Sequence, residues 1–422
     1  MKGMGRPGPT VSLEAARAQL LATMHRLEPR FLPVDRSLGR VLARALVAAE
    51  DVSPFANAAM DGFAVRAEDV RTASSRLRLV GSVAAGRVAD ERVGPGQAMA
   101  ITTGAPLPAG ADAVCMVERA ELDGDEIALV VPIAAGENVR YLGEDVAKGS
   151  VVFEPFTELT PAHIGVLASL GVRAVTVYPS LRVGVLSTGD ELVERAGPLE
   201  RGQIHDSNRH LLLALARSVG CEPVDLGVVG DDEAAITQAI ESAVGACDAI
   251  LTSGGVSVGV ADHMKKVLGR LSGGSVRWME VAIRPAKPFG FATLAGSGLP
   301  VLCLPGNPVA AMVSFELLVR PALRLMMGHA VLERPGLLAT AEEGLARQCD
   351  GKLHLVRVVV TADRDGRLHA RPLTCQGSHQ LRSMALANAL ALLPDGEGVG
   401  AGEPIRVLLL SPDTVPISEP LA

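Results

Sequence analysis

Aromatic side chains are scarce in this sequence, where eight Phe, two Tyr and one Trp make up 3% of the residues. Proteins that hold single-stranded nucleic acid stack its bases on aromatic rings, so this class of ligand is disfavoured. A net charge of −7 and a pI near 5.8 also disfavour binding to nucleic acid or to an anionic membrane. An anionic substrate therefore needs local backbone donors or a few well-placed Arg and Lys side chains.

The chain also lacks the signatures of secreted and membrane proteins. No apolar run reaches the roughly 18 residues of a membrane span, and the first ten residues, MKGMGRPGPT, contain no apolar signal core. The six cysteines are widely separated and form no C-x-x-C pair, which argues against a disulfide framework or a zinc site. We expect reduced, mostly buried thiols in a cytoplasmic protein that binds neither membrane nor nucleic acid.

The composition, 48% hydrophobic and 21% charged over 422 residues, is typical of a globular protein of about three domains. Residues 1–180 are predicted to form a linker and helical region with a β-rich subdomain inserted at about 45–140. Residues 181–330 are predicted to form a central α/β domain, and residues 331–422 a β-barrel-like domain. The fold class is therefore multidomain α/β plus β.

The central segment alternates strand-like runs with helical runs of 10–15 residues, a pattern that predicts a parallel sheet. Pro321 should kink or end the last of these helices, because its ring blocks the backbone bond one turn earlier. Outside this segment, Ser12 and Thr160 are candidate helix N-caps, and Asp123-Gly124 is a candidate hairpin turn.

Three unusual loops follow strands of the predicted sheet: STGDEL (187–192), SGGVSVG (253–259) and LPGNPV (304–309). Ligands of open α/β sheets bind at the carboxyl ends of the strands, and each loop leads toward a helix N-terminus that favours anions. Such loops also occur as plain connections, but three at one edge favour a cradle for a phosphate-bearing ligand.

The second loop has the G-x-x-x-x-G spacing of a P-loop, but Val260 and Ala261 stand where Lys and Ser/Thr belong. Acidic residues adjoin the loops and suggest a magnesium ion that bridges carboxylates and phosphate oxygens; helix capping is the alternative for each. These residues are Asp190, Glu191, Asp231, Asp232 and Asp262.

Cationic residues occur in other segments. Arg284 and Lys287 lie in the proline-rich IRPAKPFGF, whose alternative interpretation is a solvated basic turn. Arg357 lies within an apolar β-run, where an ion pair or a surface edge would also explain it. Ser378 lies in TCQGSHQ, and we interpret the neighbouring His379 as structural.

Asp61 stands out within the apolar NAAMDGFAV, residues 57–65. An Asp-Gly hairpin turn with Gly62 is one explanation. The other is a functional carboxylate, which would have to fold back onto the α/β crevice or come from a second subunit.

Eight motifs occur in the order found in the molybdopterin molybdenumtransferases, the MoeA-like family that includes the E domains of gephyrin and of the plant Cnx proteins. They are NAAMDGFAV, TTGAPLPAGADAV, STGDEL, GQIHDSN, SGGVSVGVADH, IRPAKPFGF, LPGNPV and QGSH. The resemblance covers about residues 12–410 and implies an elongated homodimer of four-domain subunits with a composite active site. It also implies that adenylylated molybdopterin and molybdate give molybdenum cofactor and AMP, with magnesium. Tungstate has the same charge and tetrahedral shape as molybdate, so the motifs fit both oxyanions.

The resemblance also assigns roles to residues. The catalytic set that it implies is Asp61, Thr103, Glu191, Asp231, Asp262 and Lys287, with Glu191, Asp231 and Asp262 toward magnesium. The substrate-binding set is Thr188, Gly189, Asp190, Asp206, Ser207, Asn208, Gly254, Gly255, Ser257, Arg284, Pro305, Gly306, Asn307, Pro308, Arg357 and Ser378. Arg357, Ser378 and Lys287 correspond to molybdate-contacting positions.

The chain departs from the family pattern at three positions. Arg284 stands where many members have Lys, which keeps the charge but replaces a compact ammonium by a planar fork. Ala286 replaces a usual Gly, and Phe63 replaces a frequent Tyr.

Two alternative functions remain at this stage. A molybdopterin adenylyltransferase resembles the central α/β unit, but the additional front and tail domains argue against it. A non-catalytic scaffold of the gephyrin kind would not need the acidic and cationic residues. Molybdopterin adenylyltransferase and molybdoenzyme maturation proteins are further partners that the resemblance implies.

Overall fold

The computed structural model describes residues 10–72, 75–194, 197–254, 261–347, 349–411 and 414–417, without the side chains of residues 261 and 262. The chain divides into two compact units. Unit 1 comprises Met1–Arg30, Gly39–Val41 and Tyr178–Ala422, and unit 2 comprises Phe31–Leu38 and Leu42–Val177.

The strands and helices of the described residues have the following bounds. The strands are β1 (Thr10–Val11), β2 (Arg30–Pro33), β3 (Val41–Leu42), β4 (Leu46–Val47), β5 (Asn57–Ala58), β6 (Gly62–Val65), β7 (Arg76–Val83), β8 (Gln97–Ile101), β9 (Ala113–Met116), β10 (Ala120–Asp123), β11 (Glu126–Leu129), β12 (Val139–Arg140), β13 (Val151–Phe153), β14 (Ala174–Tyr178), β15 (Arg182–Thr188), β16 (Leu192–Val193), β17 (Ile204–His205), β18 (Glu222–Val229), β19 (Ala249–Ser253), β20 (Arg277–Val281), β21 (Ile283–Arg284), β22 (Pro288–Thr293), β23 (Pro300–Leu304), β24 (Gly336–Ala341), β25 (Leu345–Ala346), β26 (Leu353–Ala362), β27 (Leu368–Pro372), β28 (Ala389–Leu393), β29 (Gly398–Val399) and β30 (Pro404–Leu409). The α-helices are α1 (Leu13–Leu21), α2 (Pro161–Ser169), α3 (Asn208–Ser218), α4 (Glu233–Ser242), α5 (Ala261–Leu271), α6 (Pro308–Ser314), α7 (Arg320–Met326) and α8 (Leu381–Leu386).

Unit 1 contains a seven-stranded sheet in the order β1-β20-β22-β23-β19-β15-β18. The strands β18, β15, β19 and β23 are parallel, which confirms the predicted α/β centre. The sheet continues with β22 antiparallel to β23 and β20 antiparallel to β22, so it is mixed as a whole. The reason is local: only six residues, 294–299, join β22 to β23, which is too short for a parallel crossover.

Helices cover both faces of this sheet. On one face α1, α3 and α6 contribute Leu20, Leu212 and Val309 to the largest apolar core. On the other face α4 and α5 contribute Ile236 and Val267 to a second core. Because both faces are covered, β19 and β23 are buried along their whole length, as parallel sheet strands usually are.

The helical run predicted after LPGNPV is interrupted as expected near Pro321. A π-helical turn at Phe315–Val319 separates α6 from α7. Pro321 has no N–H to offer the carbonyl of Leu317, four residues earlier. Arg17 of α1 compensates, because its Nε donates to that carbonyl at 3.1 Å.

The C-terminal part of unit 1 is a small barrel, as predicted. The strands β26, β27, β24, β30 and β28 pair in that order, and pairing of β28 with β26 closes the ring. Val358, Ala391 and Val407 fill its interior. The short strand β21 pairs with the start of β26, which attaches the segment around Arg284 to the barrel wall.

Unit 2 contains a six-stranded sheet in the order β10-β11-β7-β8-β6-β9, which confirms the β-rich character predicted for this region. The Asp123-Gly124 hairpin is present, with Gly124 at φ +62° between β10 and β11. As expected, Thr160 caps α2, where it forms a capping box with His163, and Pro161 occupies the first turn of the helix. Ser12 likewise caps α1 of unit 1.

The described residues include no helix with the length and apolarity needed to cross a bilayer. The six cysteines are free thiols, four of them buried: Cys115, Cys221, Cys247 and Cys303. Burial raises the pKa of Cys303 to about 12, so this thiol stays protonated and unreactive.

Candidate active site

The three predicted loops lie at one edge of the seven-stranded sheet, because the parallel strands β15, β19 and β23 end there. Gly254 follows β19 with φ +95°, and a Cβ atom at this position would lie 2.5 Å from the carbonyl oxygen of Thr188. A Cβ atom on Gly306 would lie 3.8 Å from the Gly254 Cα. The three loops therefore touch through backbone atoms, and at residue 254 only glycine fits.

Asn208, the first residue of α3, ties these loops together. Its side-chain nitrogen donates to Ser253 Oγ at 2.7 Å and to the Gly306 carbonyl at 2.6 Å. The residue is buried, and its Oδ1 has no partner among the described residues. The GQIHDSN motif thus supplies the brace between two loops, and leaves one buried acceptor unused.

Asp206 of the same motif is buried beneath the first loop. Its carboxylate accepts from Ser187 Oγ at 3.1 Å and from Arg209 Nε at 3.0 Å. Arg209 also pairs with Glu194 and Asp225, so the network is ionic and almost closed to solvent at Asp206 and Arg209. Ser207 precedes α3 and makes no capping bond through its side chain.

Three carboxylates gather where β15 and β18 end, and we call Asp190, Glu191 and Asp231 the acidic edge. The Asp231 N–H donates to Asp190 Oδ1 at 2.9 Å, which joins the two loops. Burial, and then the charge of Asp190, raises the pKa of Asp231, and Glu191 adds to the effect. Burial and the like charges thus outweigh a backbone hydrogen bond and the charge of His263, which act on the pKa of Asp231 in the opposite direction.

The donor set of the acidic edge suits magnesium, which prefers carboxylate oxygens. Within the described residues, however, no group of three or more His, Cys, Asp and Glu side chains is arranged to hold a metal ion. Asp262 is the second residue of α5, and its side chain lies outside the described atoms, as do residues Gly255 and Ser257 of the second loop.

A second region lies beside the barrel, and we call it the cationic pocket. It has a volume of about 940 Å³, and its lining includes Arg284, Lys287, Pro305, Gly306, Asn307 and Ser378, all predicted from the sequence. The remaining charged or titratable residues of the lining are Arg347, Lys352, His354 and His379. No Asp or Glu is among the described residues of the lining. Pro308 begins α6 directly behind this wall.

The segment that carries Arg284 and Lys287 is held in a fixed shape. Ala286 between them is buried and has φ +82°, a backbone region that L-residues other than Asn and Asp rarely adopt. Lys287 Nζ lies 2.8 Å from Glu280 Oε2, so a carboxylate outside the lining holds this cation.

Arg357 is completely buried in β26. Its Nη2 donates to the carbonyls of Cys375 at 2.8 Å and Gly377 at 3.3 Å, and Gln376 bonds both its backbone N–H and carbonyl. Its Nε and Nη1 have no partner among the described residues. Burial lowers the pKa of Arg357, because its charged guanidinium is poorly solvated there. A nearby anion would therefore stabilise the charged form. The segment that it holds, 376–379, lines the cationic pocket.

Asp61 and Thr103 belong to unit 2 and contact each other. Asp61 Oδ1 accepts from the Thr103 N–H at 2.6 Å and from the Thr103 hydroxyl at 2.8 Å. The backbone bond, and then the hydroxyl bond, lowers the pKa of Asp61. The hairpin interpretation of Asp61-Gly62 is wrong: Gly62 begins β6, and a Cβ there would lie 1.9 Å from the Cys115 carbonyl. Glycine is required for this close approach, and Asp61 is left exposed.

Arg347, Lys352 and His354 line this pocket, and the motifs did not indicate them. A signal for Lys352 and His354 was present in the sequence, because these two residues alternate with leucines in GKLHLVR, which places them on one face of a strand. His379, interpreted from the sequence as structural, also lies in the pocket wall.

Family comparisons cover most of the chain. Residues 11–171 match the MoeA N-terminal region (domain I and II), residues 184–325 the probable molybdopterin binding domain, and residues 347–410 the MoeA C-terminal region (domain IV). The chain is 36% identical over 401 residues to the molybdopterin molybdenumtransferase of Haemophilus influenzae, which covers 94% of this chain and 98% of that protein. It is 36% identical to molybdopterin molybdenumtransferase 2 of Mycobacterium tuberculosis, over 91% of this chain and 96% of that one.

A solved structure is also similar. The molybdopterin biosynthesis moeA protein from Pyrococcus horikoshii OT3 superposes with a TM-score of 0.80 at 31% identity. The alignment covers 95% of this chain and all of that chain.

Proposed function

The chain belongs to the MoeA family of molybdopterin molybdenumtransferases and inserts molybdenum in molybdenum cofactor biosynthesis, and we propose that it does so on adenylylated molybdopterin, with molybdate as metal source and AMP as released product. The enzyme is a transferase. Both proposed substrates are anions that repel each other, so the site has to neutralise charge twice.

The observation that carries the proposal is that the loops of the sheet edge and the cationic pocket meet at Gly306. Gly306 lines the pocket, lies against Gly254, and accepts from Asn208. A ligand with a pyrophosphate on the loops can therefore extend directly into a pocket whose cations suit an oxyanion. This is the arrangement needed to bring a pterin dithiolene to molybdate.

The chemistry of the proposed reaction separates into two parts. Two thiols of the pterin bind molybdenum, and one molybdate oxygen leaves with their protons as water. A water molecule cleaves the pyrophosphate bond, so that AMP leaves and the terminal phosphate stays on the pterin. Positioning of the two anions and neutralisation of their charge are the contributions expected of the protein.

In this proposal, the cationic pocket receives molybdate. Arg284 and Lys287 supply charge on a rigid segment, and Arg357 has two nitrogen atoms without partners among the described residues. Ser378 lines the pocket together with Arg284 and Lys287, and it belongs to the segment that Arg357 holds from behind the lining. Thr188, Gly254 and Gly306 present the backbone of the three loops to the pyrophosphate, and Asn208 and Asp206 fix the loops from below.

We further propose that the acidic edge holds magnesium, through Glu191 and Asp231 together with Asp262. The raised pKa of Asp231 supports this, because a cation would relieve the repulsion that causes the shift. When bound, magnesium would offset the charge of the phosphate oxygens. The protein residues orient the ligand and keep the carboxylates together.

Asp61 and Thr103 are proposed to complete the active site of a second subunit in a homodimer. Two hydrogen bonds from Thr103 hold the Asp61 carboxylate ionised and in one orientation, although the residue is exposed. An exposed carboxylate with a fixed orientation is suited to a ligand that arrives from outside its own unit.

The direct test measures molybdate-dependent AMP release from adenylylated molybdopterin by the purified protein with magnesium. We expect release that requires molybdate, and Asp61→Ala should abolish it while the protein stays folded and dimeric. Formation of adenylylated pterin from molybdopterin and ATP without molybdate would instead show an adenylyltransferase. Folded protein without either activity would favour a scaffold.

Mixing two inactive variants tests the composite site. Asp61→Ala and Asp231→Ala, unfolded and refolded together, form mixed dimers in which one of two sites keeps both carboxylates. Random pairing then restores about a quarter of the wild-type activity if the site combines two subunits. A site formed within one chain would give no recovery.

We also propose a cytoplasmic location, with molybdopterin adenylyltransferase supplying the substrate and molybdoenzyme maturation proteins receiving the product. Free, mostly buried cysteines agree with a reducing compartment.

A further inference from the structure

Two residues of the cationic pocket have no role in the proposed reaction so far. Lys352 directly precedes β26 and His354 is its second residue, so both point to the same side of the chain. Both line the pocket, with side chains 28% and 15% exposed. They are therefore accessible to a ligand and yet partly shielded from solvent.

The β-ladder places these residues beside the proposed molybdate contacts. Strand β21 runs parallel to β26, and Arg284 is the direct Cα partner of His354. Arg284 and His354 both line the pocket. One wall thus presents a guanidinium, an imidazole and an ammonium group from adjacent backbone positions.

The backbone under this wall is rigid. Arg347, whose side chain is only 2% exposed, donates from Nη1 to the carbonyls of Lys352 at 2.8 Å, Leu393 at 3.0 Å and Pro394 at 2.8 Å. Its Nη2 pairs with Asp350 and Asp395. The start of β26 is consequently fixed in place before any ligand arrives.

One carboxylate holds both candidate groups. Asp350 accepts from His354 Nε2 at 3.1 Å and lies 3.4 Å from Lys352 Nζ. Asp350 itself does not line the pocket. An anion inside the pocket and Asp350 outside its lining can therefore compete for the same two donors.

We propose that Lys352 and His354 form a second oxyanion subsite of the pocket, next to Arg284, with Asp350 as the built-in competitor for that subsite. This inference rests on the proposed function. The ligand is a tetrahedral oxyanion, either free molybdate or the phosphate end of the pterin substrate. Lys352 supplies a fixed positive charge and His354 an N–H donor. A bound oxyanion replaces Asp350 as their partner.

The test compares three variants by equilibrium binding of molybdate alone and of inorganic phosphate alone. Lys352→Met and His354→Gln should each weaken oxyanion binding, Lys352→Met by about tenfold, as expected for loss of one charge-assisted hydrogen bond. Asp350→Asn should strengthen binding several-fold, because it removes the competitor. Lys148→Met and His25→Gln, both at exposed positions outside the pocket, are the matched controls and should bind as the wild type does.

The same variants identify the source of the oxyanion. If free molybdate is the ligand, the KM for molybdate rises and the KM for adenylylated molybdopterin stays constant; if the substrate phosphate is the ligand, the reverse holds. Unchanged affinity for both probes in Lys352→Met and His354→Gln would overturn the subsite, as would weaker binding in Asp350→Asn. Binding of the probes does not require turnover, so loss of molybdenum insertion in the wild type would reject the proposed function alone.

Discussion

The acidic edge and the cationic pocket carry opposite charge, and they hold their charged side chains in different ways. At the acidic edge, Asp190, Glu191 and Asp231 converge, and their repulsion together with burial raises the pKa of Asp231. In the cationic pocket, carboxylates that compensate the cations exist but stand outside the lining, as Glu280 does for Lys287 and Asp350 for Lys352.

The difference indicates what each region is built to receive. Ionised carboxylates that lie close together raise each other's free energy, and the proposed magnesium would relieve this repulsion at the acidic edge. Lys287 and Lys352 of the pocket are paired with carboxylates that lie outside its lining. These pairs hold the two ammonium groups in place, and an anion that enters the pocket can replace the carboxylates as their partner. The ligand proposed for each region therefore has the charge opposite to that of its side chains.

Breaking the acidic edge should have the largest effect. We expect Asp231→Asn to lower kcat for molybdate-dependent AMP release by about 10²–10³-fold, the range seen when one preorganised electrostatic contact is removed. Because the folded protein raises the pKa of Asp231, ionisation of this residue destabilises the fold as pH rises above the ordinary Asp value. The variant should therefore melt above the wild type at pH 7, and the gap should shrink near pH 4.

Asp232→Asn is the matched control for this prediction. Asp232 is the N-cap of α4, where its side chain accepts from the Ala235 N–H at 2.8 Å, and Asn can replace it in that role. Its kcat should stay close to that of the wild type. An Asp231→Asn enzyme with normal kcat, or with a lower melting temperature at pH 7, would contradict the interpretation of the acidic edge.

Changing Arg357, which holds the wall segment 376–379 of the cationic pocket, should affect binding more than turnover. Arg357→Lys keeps the charge but cannot hold the Cys375 and Gly377 carbonyls and still offer two further N–H groups. We expect the KM for molybdate to rise about tenfold, with a smaller change in kcat. Arg364→Lys, at an exposed hairpin position, provides the comparison. A change confined to kcat would show that Arg357 does not hold molybdate.

The contact between the sheet-edge loops and the cationic pocket can be tested at Asn208. Asn208→Asp removes both donors and places a carboxylate against the Gly306 carbonyl, so it should lower the free energy of unfolding by about 2–4 kcal/mol. Asn208→Ala should cost less, because it introduces no charge. Chemical denaturation measures both. Equal stability of the two variants would mean that a carboxylate beside the Gly306 carbonyl adds no penalty, and wild-type stability of Asn208→Ala would mean that the two hydrogen bonds contribute little.

The smallest effect is expected at Ala286, on the rigid segment of the cationic pocket. Glycine relieves the strain of φ +82° but increases the entropy of the unfolded chain, so Ala286→Gly should stabilise the protein by at most about 1 kcal/mol. Denaturant midpoints at unchanged m-value would show this. A destabilised variant would indicate that packing of the buried methyl group outweighs the backbone strain.

Local signals in the sequence were sufficient for much of the fold. Alternation of strand-like and helical runs predicted the parallel strands. Asp123-Gly124 forms the predicted hairpin turn, Thr160 caps a helix, and Pro321 lies where the last helix is interrupted. The antiparallel extension of the central sheet was missed, although the six-residue connection between β22 and β23 could have revealed it. The interpretation of Asp61-Gly62 as a hairpin turn was wrong, because Gly62 begins β6 and is needed for its close contact with Cys115 of the distant strand β9.

The sequence by itself determined the family, the order of the loops and the kinds of charge that the site contains, because these depend on residue identity and short-range spacing. Only the tertiary structure decided which of these residues meet. It assigned Asn208 and Asp206 to support of the loops, and it brought His354 beside Arg284 across seventy residues of chain by pairing β21 with β26. The physical reason is that a strand pattern specifies which face a side chain takes, whereas the partner strand is chosen by packing of the whole unit.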